Sequence, residues 1–215
     1  MILNILVIAA HPDDEVLGMG GTIKKLSKNN KIQLCVVSEG TSAQYKDKKM
    51  IEIRKNACIK SGKLLGISDF EFLDFPDMKL DSVPQIEINK ELEKVVRKHK
   101  PKVIYTTPQN DLNKDHQQVH NSTLVVARPL SSTIKTILCY ELPGYVKHPF
   151  VPTVYEDVSK EFSFKIRAFK IYKSEIQKNP YPRSLKAIKN LAIYRGTQSG
   201  LEKAEAFQLV RSISD

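Results

Sequence analysis

No run of this sequence is long and apolar enough to span a bilayer, and no basic stretch leads into a short apolar core at its start. A membrane segment is therefore not expected, and a cytoplasmic location is. Cysteine is scarce. Cys35, Cys58 and Cys139 are odd in number, widely spaced and form no CxxC pair, which argues against a disulfide framework and a thiolate metal site. Cys35 and Cys139 lie in apolar runs and read as small buried hydrophobes. There is no repeat and no low-complexity tract. Gly18, Gly20 and Gly21 fit neither GxGxxG nor a Lys-Ser/Thr phosphate loop, so they read as sites of close backbone packing. The net charge of +10 comes without an arginine-rich block or interleaved aromatics. Scattered lysines imply a solvated surface rather than a nucleic-acid binder, with a field that could attract an anionic substrate.

What is present suits one soluble domain spanning residues 1–215, with 41% hydrophobic and 27% charged residues. Strand-like and helix-like segments alternate. Residues 2–10 are almost continuously apolar, as in a parallel strand covered on both faces. Helical spacing of Val16, Met19, Ile23 and Leu26 follows, stopped at Asn29-Asn30. The pattern then predicts a strand at 32–38, a helix over 50–65, strand 70–74, helix 84–99, strand 102–107, helix 114–128 and strand 136–143. This rhythm predicts an α/β fold: a three-layer, doubly wound, mostly parallel sheet of Rossmann-like type. Beyond 142, prolines mark irregular chain, followed by expected helices over 162–178, 184–194 and 201–213, with YRGTQSG as a loop. The C-terminal part thus reads as a helical elaboration.

In such sheets ligands sit outside the carboxyl ends of the strands. The first strand ends in His11-Pro12-Asp13-Asp14-Glu15, and Asp115, His116 and His120 lie just past the fourth. His11 and Asp14 are ordinary first-row metal ligands that a strand-to-helix turn could aim at one point. His116 and His120, an i, i+4 pair, share a helix face. Spacing leaves open which of them is a third ligand, although His120 shares its face with Leu124 and Ala127 and reads better as a packed, hydrogen-bonded histidine. Glu15 reads as a helix cap or a carboxylate that orients a ligand. Arg54, on a helix, is by default solvated. Asp77 and Asp81 read as turn residues and Arg183 as a loop anchor; Glu205 and Phe207 could be core or pocket.

HPDDE before a glycine-rich helix start, with Asp115-His116 about a hundred residues on, resembles the PIG-L/LmbE-like family of zinc-dependent N-acetylglucosaminyl deacetylases. FPDMKLD and RGTQSGLEKAEAFQLVR extend the resemblance over nearly the whole chain. It implies zinc, with iron(II) or another divalent metal as an alternative, on His11, Asp14 and His116. It implies Asp13 as general base, Arg54 as a substrate contact and Asp115 as a catalytic-site aspartate. Three protein ligands would leave a position for water or substrate, and metal lowers the pKa of such a water to roughly 7. The family's HxDH motif reads NKDH here. Asn113 can donate a hydrogen bond but cannot shuttle a proton, so either Asp13 handles both transfers or another histidine, with His148 the candidate, fills the gap. The implied substrate is a small N-acetylated amino sugar, such as an N-acetylglucosamine conjugate and one that could be anionic. A different N-acyl substrate and a non-catalytic sugar-binding relative are the rivals. Homo-oligomer formation stays open.

Overall fold

The first apolar run becomes strand β1 (Asn4–Ala9), buried from Ile5 onward. The protein is described from a computed structural model covering residues 2–43, 49–144 and 146–214. Helix α1 (Asp14–Leu26), β2 (Lys31–Ser38), α2 (Lys49–Leu65), β3 (Asp69–Phe75), α3 (Gln85–His99), β4 (Val103–Thr106), α4 (Lys114–Val126) and β5 (Thr136–Tyr140) follow close to their expected places. The chain then adds β6 (Val154–Asp157), α5 (Phe162–Phe169), α6 (Leu185–Ser199) and β7 (Ala204–Ser212). Among the described residues, seven strands form one sheet in the order β3-β2-β1-β4-β5-β7-β6. The first five of that order run parallel, and β7 is antiparallel to both its neighbours. This is the doubly wound fold that the alternation predicts.

The two-residue period of a strand sorts side chains into two layers. Ile5, Val7, Leu34 and Val36 pack with residues of α1, α2, α5 and α6. Leu6, Ile8, Cys35 and Val37 pack with α3 and α4. All three cysteines are free and buried. No helix among the described residues is long and apolar enough to cross a membrane.

Helix α1 is kinked at Met19 (φ −145°), and Gly18 lets it come hard against the sheet. A Cβ on Gly18 would stand 2.4 Å from Cδ2 of Tyr140. That ring cannot move away freely, because its hydroxyl donates to the carbonyl of Ile8 at 3.0 Å. Gly18→Ala is therefore expected to lower stability by about 1–3 kcal/mol, the usual cost of overpacking, read as a fall in denaturation midpoint. An unchanged midpoint would show that the helix can shift to accept the methyl.

The C-terminal part departs from expectation in four places, the first being β6, a strand within chain expected to be irregular. The helix expected over 162–178 stops at Phe169, and 170–184 winds in turns. This segment is drawn inward, burying Tyr172 and Glu175. The loop expected at YRGTQSG is instead the end of α6. Gly196 is inside that helix because a Cβ there would lie 2.6 Å from the Leu201 carbonyl oxygen, and α6 stops at Gly200 with φ 73°. The helix expected over 201–213 is β7, which adds to the sheet rather than to a helical layer. Helical propensity in AEAFQLVRS is overridden by ladder bonds on both sides, to β5 and to β6. Phe207 lies in the core, and buried Glu205 accepts from the backbone N–H groups of Gly21 (3.0 Å) and Thr22 (2.7 Å) and from Lys165 Nζ (2.6 Å).

Candidate metal centre

Strand order reverses between β1 and β4, and crossover loops diverge there to leave a crevice at the carboxyl ends. HPDDE leaves β1 at this point, and Asp111 to His116 leads from β4 into α4. His11 Nε2 lies 3.1 Å from Asp115 Oδ2 and 3.4 Å from Asp77 Oδ1. Ionised carboxylates only accept, so Nε2 carries a hydrogen and Nδ1 is turned inward. His116 is fixed in the same manner from the other side: its Nδ1 donates to Asp111 Oδ2 at 2.7 Å, which leaves Nε2 facing inward. The two inward nitrogens are 3.2 Å apart, and Asp14 Oδ2 is 3.5 Å from each.

Two nitrogen lone pairs aimed at each other across that distance repel unless a proton or a cation lies between them. The electrostatics agree. Burial opposes a charge on His11, but hydrogen bonds to Asp115 and Asp14 and the field of Asp77 outweigh it and raise the imidazole to about 10. Burial would also raise Asp14, yet His116 and His11 hold its carboxyl well below the usual range. Asp14 Oδ1 is buried with no hydrogen-bond partner among the described residues. A tetrahedral zinc with nitrogen ligands at about 2.0–2.1 Å separates them by roughly 3.3 Å. His11, Asp14 and His116, with ligand atoms all within 4.8 Å of one another, fit a divalent cation by spacing, donor chemistry and the unpartnered oxygen.

His120 does not join this group. It is buried, its Nδ1 lies 3.1 Å from the Thr107 carbonyl, and burial lowers its pKa. The packed reading of His120 therefore describes its place. Asp115 is fully buried: besides His11 it accepts from the backbone N–H of Met78 (2.8 Å) and Leu80 (3.0 Å). It touches the centre only through His11. Asp77 is more than a turn residue, because its carboxylate is buried beside His11.

Asp13 has φ 126°, a strained value for a residue with a side chain. Its N–H donates to Glu15 Oε2 at 3.1 Å, and Glu15 Oε1 accepts from the Tyr172 hydroxyl at 2.6 Å. Asp13 Oδ2 lies 3.3 Å from Arg183 and 3.5 Å from Arg54, and both carboxylate oxygens are buried without a hydrogen-bond partner among the described residues. Burial pushes the Asp13 carboxyl up, against the pull of Arg183 and Arg54. The solvated guanidinium that its helical position predicts for Arg54 is not found, because the side chain is buried. At 3% exposure it donates to the carbonyls of Pro12 and Gly40, clamping the turn from below.

Burial raises Glu15 to about 8, despite the bond from Tyr172. The folded state thus keeps this proton longer than the unfolded chain, where it leaves near 4.5. The stability contribution is complete below the lower value and is lost as pH climbs through the upper one. Glu15→Gln retains an acceptor for the Asp13 N–H and does not titrate. In the metal-free protein, the gap in midpoint between Glu15→Gln and wild type is expected to shift in favour of the variant from pH 4.5 to 8. Parallel curves would show Glu15 ionised throughout.

Asp14 and His116 lie at the floor of a cavity of about 510 Å³, whose wall includes Leu142, Asn113 and Arg183. Asn113 caps α4, its Oδ1 accepting from Asp115 N at 2.8 Å. His148, the candidate to replace the missing imidazole, is exposed, does not line this cavity, and is tied by its carbonyl to Asn110 Nδ2 at 2.8 Å. Asp111, Glu175 and Tyr172 carry no local signature that sequence reasoning could have used. Arg183, read as a loop anchor, does anchor to Glu175 (2.9 Å), but it also reaches Asp13.

Comparison with known proteins agrees with this geometry. Residues 6–127 match the family model described as PIG-L: GlcNAc-PI de-N-acetylase. The chain is similar to an uncharacterized deacetylase, YaiS, of Escherichia coli, with 32% identity over 80% of this chain and 91% of the relative. It is similar to diacetylchitobiose deacetylase of Thermococcus kodakarensis, at 23% identity over 99% of this chain and 85% of the relative. In three dimensions it superposes on N,N'-diacetylchitobiose deacetylase from Pyrococcus horikoshii with a TM-score of 0.83 and 21% identity, covering 97% of this chain and 84% of that one. With residues 6–127 matched by the family model and a 32% identical relative aligned over 80% of this sequence, the chain belongs to the PIG-L family.

Proposed function

We propose that this protein is a metal-dependent N-deacetylase that hydrolyses the acetamide of an N-acetylated amino sugar to acetate and a free amine. The observation that carries this reading is the pair of inward nitrogens, His11 Nδ1 and His116 Nε2, 3.2 Å apart beside Asp14 at the floor of an open cavity. His11, Asp14 and His116 would hold zinc or iron(II), which when bound would supply Lewis acidity to the acetamide carbonyl and to water. His11 and His116 are kept in the ligating tautomer by Asp115 and Asp111. Asp13, next in sequence to Asp14, is the general base. Its unpartnered Oδ1 and burial-raised pKa suit a group that must accept a proton near neutrality. The proton taken from the attacking water is passed to the leaving nitrogen, so the same carboxylate serves both transfers. Asn113, on the cavity wall, donates a hydrogen bond to a substrate oxygen and moves no proton. Arg54 is a positioning residue that holds the Pro12-Asp13 turn. The whole chain, 1–215, is proposed to act as one deacetylase domain in the cytoplasm.

The test is metal analysis of the purified protein together with acetate release from N-acetylglucosamine and its glycosides. One equivalent of metal and chelator-sensitive acetate release are expected. Activity that survives complete removal of metal would sink the reading.

A further inference from the structure

The charges in the cavity and the side chains at its mouth bear on what the amino sugar carries; this inference rests on the deacetylase reading. The chain has a net charge of +10, yet among the described residues Arg183 is the one lysine or arginine side chain that lines the cavity. Its charge is already matched. Nη1 donates to Glu175 Oε2 at 2.9 Å and lies 3.3 Å from Asp13 Oδ2. Asp111 adds a further carboxylate to the cavity wall. A divalent cation on His11, Asp14 and His116 would offset the carboxylates beside it; away from that point an anionic substituent would meet one guanidinium, already paired, and the carboxylate of Asp111.

The mouth has a different chemistry. Met78, Leu112 and Tyr181 line the same cavity and are 51%, 52% and 57% exposed. They come from three separate segments: the turn after β3, the loop before α4 and the inward-drawn stretch 170–184. Single exposed apolar side chains need no explanation, but three gathered around one opening form an apolar collar continuous with the ligand cluster. A cavity of about 510 Å³ has room beyond one sugar ring. We propose that the site takes a neutral N-acetylated amino sugar whose attached group is apolar, alkyl or aryl, and lies on Met78, Leu112 and Tyr181.

The test measures acetate release by the metal-loaded protein from four compounds: methyl and octyl β-glycosides of N-acetylglucosamine, its 1-phosphate, and diacetylchitobiose. The octyl glycoside is used below its micelle concentration. Each fully buried methylene is worth roughly fourfold, so partial burial of the chain should lower KM at least about tenfold for octyl over methyl. Leu112→Ala and Tyr181→Ala should bring that ratio back towards one. Equal KM values for octyl and methyl, or a lower KM for the phosphate or for the disaccharide, overturn the inference. So does a ratio that survives both substitutions while the variants change oligomeric state in size-exclusion chromatography, since a second copy would then cover the collar. Acetate release from none of the four compounds would instead remove the deacetylase reading on which the inference stands.

Discussion

Asp13→Asn is expected to reduce kcat by about 10²–10⁴, the range over which a positioned general base contributes, while leaving the metal in place. The substitution is nearly isosteric, and Asp13 is not one of the three ligands. What it removes is the ability to accept a proton at Oδ1. Asn113 stands where a histidine would otherwise share the work, and among the described residues His116, assigned as a ligand, is the one histidine lining the cavity, so no free imidazole compensates. The variant loses a buried charge that faces Arg54 and Arg183, so its denaturation midpoint must be measured alongside. Glu175, 3.7 Å from Arg54 and 2.9 Å from Arg183, still pairs both guanidinium groups. Full metal content with a rate within about threefold of wild type would remove Asp13 from the role of base.

The second large effect concerns His116. Replacing it by alanine leaves His11 and Asp14 as a two-ligand remnant. Metal content should fall to background on dialysis, and acetate release should fall by at least about 10³. The comparison that gives this meaning is Asp111→Asn. That variant keeps the imidazole but weakens the bond that fixes its tautomer, so a loss of about 10–100-fold in metal affinity is expected, with rate recovered at saturating metal. If His116→Ala retains stoichiometric metal, the ligand set is not the one assigned. If Asp111→Asn behaves like His116→Ala even at saturating metal, Asp111 is doing more than orienting a ligand.

Much of this centre could be read from the chain, for a physical reason. A strand buried on both faces announces itself as an apolar run, and charged residues at its carboxyl end need a compensating partner, which made His11, Asp13 and Asp14 conspicuous. Choosing His116 over His120 needed either the family resemblance or the structure. Helical spacing puts both on one face; the apolar neighbours Leu124 and Ala127 favour a packed His120, and the structure adds its bond to the Thr107 carbonyl. Asp77, Asp111 and Arg183 were illegible because each acts through a contact made by folding: Asp77 meets His11 from 66 positions away, and Arg183 meets Asp13 across the turns of 170–184. Arg54 misleads in the opposite sense. A charged residue on a helix is ordinarily solvated, and its burial is dictated by carbonyls of two loops that its own sequence neighbourhood does not contain. The strands β6 and β7 were missed because neither has a clean alternation. Their state is set by pairing, and the alanines and glutamate of β7 suit a helix equally well.

That pairing has a consequence in time. Among the described residues, strand β6 joins the sheet only through β7, and β7 is the last strand in chain order. Glu205 on β7 also holds the N–H groups of Gly21 and Thr22, 184 and 183 positions earlier, in the helix that presents Asp14. Contacts of such long separation form late, because loop closure must precede them. On a ribosome, HPDDE would emerge well before the strand that secures its helix. A nascent chain halted before Ala204 should therefore display the ligand motif while binding metal poorly, so that the centre matures with the arrival of β7 rather than with the appearance of its ligands.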